Sequence, residues 1–447
     1  WIARFGGKFD SGWDVLREQT FARQLRDGIV PRGTTMSPRP AEIPAWDSLS
    51  PDRQRLYARY MEVFAAMLAF QDHQFGRILD ELEAQDELDD TLIVFIEGDN
   101  GASAEGGPEG SLNELMQLVG LPDQSFDEQL ANIDTLGGPR TYQVYPAGWA
   151  WSTNTPFPLY KQIASHLGGT RNGLVISWPE KIARPGEVRR QFHHVIDIAP
   201  SLLEAAGIPQ PRMVDGTAQD PFDGTGMAYT FVDPAADDQR TTQYFELLGN
   251  RAIYRDGWLA STNPGRMPWQ PLSTSKPEDF TWSLYNLDED FAQANDLVSE
   301  YPEKLAELRE MFDREARRYD VYPLRAALDE RCRRAGYSRV NEREEVSMAE
   351  MVGLLTREHL MGEELPGSAK TALDHWRGWL ESRIGADFSE LSRNLGDQEA
   401  YAAALNQVLV HLNLLDFDDE GEEGDEQISE ESPEEADSEQ ADDDGET

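Results

Sequence analysis

Asp99 and Asn100 sit side by side in Gly98-Asp99-Asn100-Gly101, at the end of the apolar run Leu92 to Ile96. A carboxylate and an amide carbonyl on adjacent residues offer two hard oxygen donors, and the flanking glycines let the backbone bring both toward one point, as a calcium ion requires. The same four residues are also ordinary turn chemistry. The other reactive side chains are spread out. Lys161 and His166 precede Gly168-Gly169-Thr170-Arg171, His193 and His194 are adjacent, His73 lies in a helical stretch, and Cys332 is the only cysteine. Adjacent histidines cannot easily aim at one metal ion and are read as structural. A single cysteine excludes an internal disulfide framework and a thiolate metal cluster.

These residues need elements to hold them. A short apolar run bounded by turn residues suits a strand buried on both faces of a parallel sheet, whose ligands gather at the carboxyl ends of strands. Leu56 to Glu83 reads as one helix, with Tyr60, Phe64, Met67, Leu68, Phe75, Ile78 and Leu82 along an apolar stripe. A second strand is expected over Leu174 to Trp178, and a helix from Asp197 to near Gly207, with Pro200 tolerated in its first turn. Such alternation predicts an α/β fold, a mostly parallel sheet covered by helices.

The chain has 447 residues and 39% hydrophobic residues, enough for two or three domains with real cores. Its net charge of -43 is uneven: residues 416–447 hold 18 Asp and Glu and no Lys or Arg, leaving -25 for the rest. That balance argues against nucleic acid as a partner, since phosphate would be repelled. No segment reads as a membrane span or signal peptide. Three regions are expected: an α/β part over 1–323, an all-helical segment over 324–415, and a disordered acidic tail over 416–447. In the second, Ser347 to Glu350 has capping-box spacing. The chain opens at Trp1, not Met, so its true beginning is expected to precede it, and location stays open between periplasm and cytoplasm.

Residues 1 to about 323 resemble the later part of the type I, formylglycine-dependent arylsulfatases of the alkaline phosphatase superfamily. The resemblance rests on Gly7 to Asp14, Thr91 to Ser103, Gly168 to Asn172, Val195 to Leu203 and Trp282 to Leu287, taken jointly and in order. It implies an alkaline-phosphatase-like sheet, incomplete on its N-terminal side, and hydrolysis of a sulfate ester. Asp99 and Asn100 then correspond to calcium ligands, Lys161 to a lysine that holds a sulfate oxygen, and His166 to a candidate for hydrogen-bonding substrate. Arg171 is expected to brace the Gly-Gly loop.

The formylglycine nucleophile is made from a cysteine in a Cys-x-Pro-Ser-Arg or Cys-x-Ala-x-Arg context. Cys332, in Glu330-Arg331-Cys332-Arg333-Arg334, fits neither. The nucleophile is therefore expected outside this chain, which alone should be inactive.

Residues about 324–447 resemble a different family, the T subunit of aerobic cobaltochelatase (CobT). The resemblance rests on Leu328 to Cys332, Met348 to Glu350, Leu354 to Gly362, Trp376-Arg377, Gly385 to Asp387 and Asp397-Gln398. It implies an AAA+ chelatase partner and, as the alternative function, an assembly role in cobalamin biosynthesis. A joined or mispredicted reading frame near Tyr322-Pro323-Leu324 is the simplest account of the combination.

Overall fold

Ser50 followed by Pro51 is a strong helix start, because the hydroxyl accepts from the Arg53 N–H and proline supplies no N–H where none is needed. In the computed structural model the resulting helix α2, Pro51–Ala84, follows α1, Gly12–Arg26. Residues 1–98, 100–114, 124–139, 141–270 and 276–324 are described, all within a compact unit spanning Trp1–Met361. The first half of α2 buries Leu56, Tyr57, Tyr60, Met61 and Val63. These join Trp13, Trp46 and Trp149 in an aromatic core, with the Trp13 and Trp46 rings edge to face at 4.9 Å. Gly12 is required there: its φ is positive, and a Cβ would overlap the Trp46 indole.

The expected apolar stripe of α2 does not stay buried along its whole length. Met67, Phe70 and Ile78 are exposed, while the Phe75 ring packs tilted against Phe95 at 4.7 Å. That contact seats strand β1, Ile93–Glu97, on the far half of the helix. Then come α3, Phe126–Ala131, closed by a reciprocal Ser125–Glu128 capping box, and α4, Ala147–Thr153, which is almost wholly buried. A single helical turn, α5, Leu167–Thr170, leads into β2, Gly173–Ser177.

β1 pairs with β2 antiparallel, Ile93 opposite Ser177 and Glu97 opposite Gly173. All strand pairings within named sheets among the described residues are antiparallel. The expectation of a strand buried on both faces therefore needs correction: Ile96, Leu174 and Val175 are exposed. A five-residue apolar run specifies a strand but neither the direction of its neighbour nor the cover on its second face.

The helix expected from Asp197 is α6, Ile198–Ala205, entered through a 3-10 turn and carrying Pro200 in its first turn. A small hairpin, β3 (Met213–Val214) and β4 (Thr217–Ala218), and the turn α7, Tyr229–Val232, lead to the largest described sheet. There β5 (Thr242–Leu247), β6 (Asn250–Arg255), β7 (Trp258–Thr262) and β8 (Trp282–Asn286) lie side by side in chain order. Helix α8, Pro302–Arg318, covers one face, packing Leu308, Phe312 and Ala316 onto Ile253, Ala260 and Leu284. The helical segment expected over 324–415, the acidic tail and Cys332 lie outside the described residues.

Candidate active site

The register of β1 on β2 decides where the Asp99 loop goes. Because Glu97 sits opposite Gly173, the chain leaving β1 emerges beside the residues that enter β2. The Gly101 N–H donates to Asn172 Oδ1 at 3.2 Å. A Cβ on Gly101, whose φ is +88°, would overlap the carbonyl oxygen of Gly168. The two glycine-bearing segments quoted from the sequence thus meet backbone to backbone, and only glycine permits that approach.

A second clamp was not visible in the sequence. Asn154 Oδ1 accepts from the Ala102 N–H at 3.0 Å, while its Nδ2 donates to the carbonyls of Leu159 at 2.8 Å and Gly168 at 2.9 Å. One side chain therefore ties the loop after β1 to both ends of the segment carrying Lys161 and His166. The Lys161 N–H completes the junction by donating to Ala102 O at 3.1 Å. Asn154 lies in Asn154-Thr155-Pro156, where an asparagine before a proline turn draws no attention.

Asp99 itself lies outside the described residues. Asn100 is half-buried, and its side-chain carbonyl Oδ1 is buried with no hydrogen-bond partner among the described residues. An orphaned buried acceptor costs about 1–3 kcal/mol unless something takes its lone pairs. A hard cation is a suitable taker, so the donor chemistry of the orphaned oxygen fits a calcium ligand at Asn100. No cluster of three or more His, Cys, Asp or Glu side chains able to hold a metal exists among the described residues.

Lys161 lies at the same junction. Its ammonium donates to Glu105 Oε2 at 2.9 Å, with the lysine side chain 31% exposed and the carboxylate only 8%. Gln162 Nε2 and Ser103 Oγ also donate to Glu105, at 2.5 and 2.8 Å. Burial opposes ionisation of Glu105, yet these bonds and the lysine charge outweigh it and hold the carboxyl below its usual range. Arg266 Nη2 anchors Gln162 through its Oε1 at 3.0 Å. Glu105, Gln162 and Arg266 are separated widely in the chain, and no local pattern marks them.

His166 is placed differently. It is buried, its Nδ1 lies 2.9 Å from Ser165 Oγ, and its ring faces Tyr285 of β8 edge-on at 6.2 Å. Burial pulls its pKa down to about 4, the charge of Asp296 offsetting only part, so the imidazole is neutral near pH 7. The contacts it makes are those of a residue buried at the start of α5 against β8, whereas the Lys161 backbone is bonded to Ala102, two residues after Asn100. The Arg171 guanidinium stacks on Phe291 at 4.1 Å and Phe157 at 5.4 Å, in keeping with a brace for the Gly-Gly loop.

His193 and His194 precede the 3-10 turn that enters α6, and His194 Nδ1 caps that turn by accepting from the Ile196 N–H at 3.4 Å. His193 Nδ1 lies 3.2 Å from Asp197 Oδ2, and the Tyr229 hydroxyl lies 3.3 Å from its Nε2. Asp197 is buried under Arg240, which grips it with Nε and Nη2, and accepts from the His194 and Thr225 N–H groups. His194 packs edge to face on Phe245 at 5.6 Å. His73 lies 5.4 Å from the Trp1 ring. No described helix is long and apolar enough to cross a membrane.

Two separate regions of the chain match known families. Residues 3–208 match the sulfatase family model, and residues 323–447 match that of the cobalamin biosynthesis protein CobT. An uncharacterised sulfatase of Schizosaccharomyces pombe is 30% identical over 322 residues, 69% of this chain and 53% of that protein. An arylsulfatase of Klebsiella aerogenes is 32% identical over 209 residues, 46% of this chain and 42% of its own length. The chain thus spans about half the length of the curated relatives it matches. Among solved structures, one from a glycosaminoglycan-metabolism locus of Bacteroides thetaiotaomicron aligns with a TM-score of 0.38 at 16% identity, covering 67% of this chain and 53% of that one. Another, titled Ps i-CgsB, aligns with a TM-score of 0.37 at 16% identity, covering 75% and 61%.

Proposed function

We propose, from the sulfatase-family character of residues 3–208 as premise, that this chain carries the later part of a calcium-dependent sulfuric ester hydrolase. The observation that carries the reading is the junction itself. The loop bearing Asn100 and the segment bearing Lys161 are stitched together at Ala102 by Asn154 and by the Lys161 N–H, and two residues earlier in that loop the Asn100 side-chain oxygen is buried and unsatisfied.

On this reading Asp99 and Asn100 hold the calcium ion. When bound, that ion supplies positive charge against the oxygens of a sulfate group. Lys161 adds a second positive charge that does not depend on the metal. Its ammonium is partly exposed while its buried counter-ion lies behind it, so it can hold a sulfate oxygen without leaving Glu105. Gly101, Gly168 and Gly169 let the loop after β1 and the segment carrying Lys161 and His166 pack backbone to backbone, which fixes where Asn100 and Lys161 leave the chain. His166, neutral and buried, is kept as a candidate hydrogen-bonding group through its ring nitrogen. The formylglycine nucleophile of this chemistry is supplied from outside the described residues.

The reading is tested by calorimetric titration of the full chain with calcium. Wild type is expected to bind weakly, with Kd on the order of 1 mM because few protein oxygens are present, and Asn100→Ala to bind at least about fivefold more weakly. Equal affinity in both, or tight binding that survives Asn100→Ala, overturns the assignment of Asn100. Hydrolysis of a nitrophenyl sulfate by the chain alone is expected to be undetectable. Calcium-dependent turnover abolished by Asp99→Ala would instead place the complete site within these 447 residues.

A second reading concerns residues 323–447, where the CobT model matches. There we propose that the segment binds an AAA+ chelatase partner, the acidic run after Asp416 serving as a spacer. Co-purification of residues 324–447 with such a partner, in the absence of residues 1–323, checks it.

A further inference from the structure

Lys161 and Gln162 are neighbours in the chain, and their side chains end on the two oxygens of one carboxylate. The Lys161 ammonium donates to Glu105 Oε2 at 2.9 Å, and Gln162 Nε2 donates to Oε1 at 2.5 Å. Consecutive residues of an extended chain point to opposite sides, so this convergence needs a bend between them. The Ile163 N–H supplies it by donating to Tyr160 O at 3.1 Å, which closes a four-residue turn with Lys161 and Gln162 at its centre. Gln162 has a φ of +73°, and Lys161 keeps an ordinary negative φ. That is the pattern of a type II turn, whose third position favours glycine or asparagine. A glutamine held there carries a conformational cost, and its side-chain bonds are what offset it.

Both ends of the Gln162 amide are engaged. Arg266 Nη2 donates to its Oε1 at 3.0 Å, while its Nε2 faces Glu105. A guanidinium only donates and a carboxylate only accepts, so a single orientation of the amide suits both. Asn250 Nδ2 adds a bond to the Gln162 carbonyl at 3.4 Å. Arg266 and Asn250 are both buried, so the support comes from the interior. We propose that Gln162 is a positioning residue for Lys161: by bridging Arg266 to Glu105 Oε1 it fixes the carboxylate on which the ammonium rests, and so places that ammonium before an oxyanion arrives. The inference rests on the reading of Lys161 as the residue that holds a sulfate oxygen. Gln162 touches no substrate in this role. It orders a long, flexible side chain in advance, which lowers the entropy that binding must otherwise supply.

The test compares wild type with Gln162→Gly in the full chain. Glycine accepts this φ, so the turn is kept while the bridge is removed. The Lys161 ammonium is followed by nitrogen-15 NMR as inorganic sulfate is added, with Lys161→Met identifying its signal. Sulfate is expected to bind Gln162→Gly about fivefold more weakly, the cost of ordering one long side chain during binding. In the sulfate-free protein, exchange of the ammonium protons with water should accelerate. The Lys161 backbone N–H, bonded to Ala102 O, should keep its wild-type protection. Gln162→Asn also accepts the left-handed backbone but is one methylene too short to span the bridge, so it should lose the same affinity. It carries the comparison should the glycine variant fail to fold. Unchanged sulfate affinity overturns the proposal and leaves Lys161 its role. An affinity loss that comes with faster exchange at the Lys161 backbone N–H also overturns it, because the glutamine then only holds the segment together. A Lys161 signal that sulfate never moves in wild type overturns the reading of Lys161, and this proposal with it.

Discussion

Leu284, in the four-stranded sheet, and Arg17, beneath the site loops, are both fully buried, but opposite chemistry holds them. The sheet satisfies its own backbone through the β5–β8 ladders and needs only apolar cover, which α8 supplies along Leu308, Phe312 and Ala316. The region that builds the site has little regular structure, so its carbonyls need side-chain donors. Arg17 meets that need: its guanidinium donates to Trp151 O at 2.5 Å, Pro156 O at 3.1 Å, Phe157 O at 3.3 Å and Ser37 Oγ at 2.7 Å. Burial pulls its pKa down to about 10, which still leaves it charged at neutral pH. Asn154 does for the loop after β1 and the segment carrying Lys161 what Arg17 does for the turn beneath them. Where ladders are scarce, single polar side chains become structural, and close backbone approach becomes possible.

Three substitutions sharpen this contrast. Arg17→Met should cost about 4 kcal/mol in urea denaturation, because it orphans several buried carbonyls at once. Leu284→Ala should cost about 3 kcal/mol by leaving a cavity between sheet and helix. Hydrogen exchange should then rise in β6 to β8 and leave residues 100–104 protected as in wild type. Asn154→Ala should cost least, about 2 kcal/mol, but its effect should be concentrated at the site. Exchange should accelerate at the Ala102 N–H and calcium affinity should fall, with the sheet unchanged. A cost for Arg17→Met below that of Asn154→Ala, or calcium affinity indifferent to Asn154, would erase the distinction between the two regions.

Much of the organisation was legible in the residues. The long helix after Ser50, the strand after Leu92, the strand entering Trp178 and the helix after Asp197 all follow from apolar spacing, proline and capping chemistry, which act over a few residues. The glycine segments were legible as well, and the structure gives their reason in the overlap that a Cβ on Gly101 would make with Gly168. What was hidden depends on contacts between distant positions. Nothing near Glu105 announces Lys161, 56 residues away, and nothing near Asn154 announces Ala102, 52 residues away.

The sequence by itself determined the local elements, the uneven charge and the identity of the oxygen and nitrogen donors, because propensity and charge are properties of short stretches. The tertiary structure alone decided that β1 runs antiparallel to β2, that His166 lies buried against Tyr285, and that Lys161 pairs with the buried carboxylate of Glu105. Strand direction and side-chain partnership arise only when segments far apart in the chain compete for the same buried surface and the same hydrogen bonds.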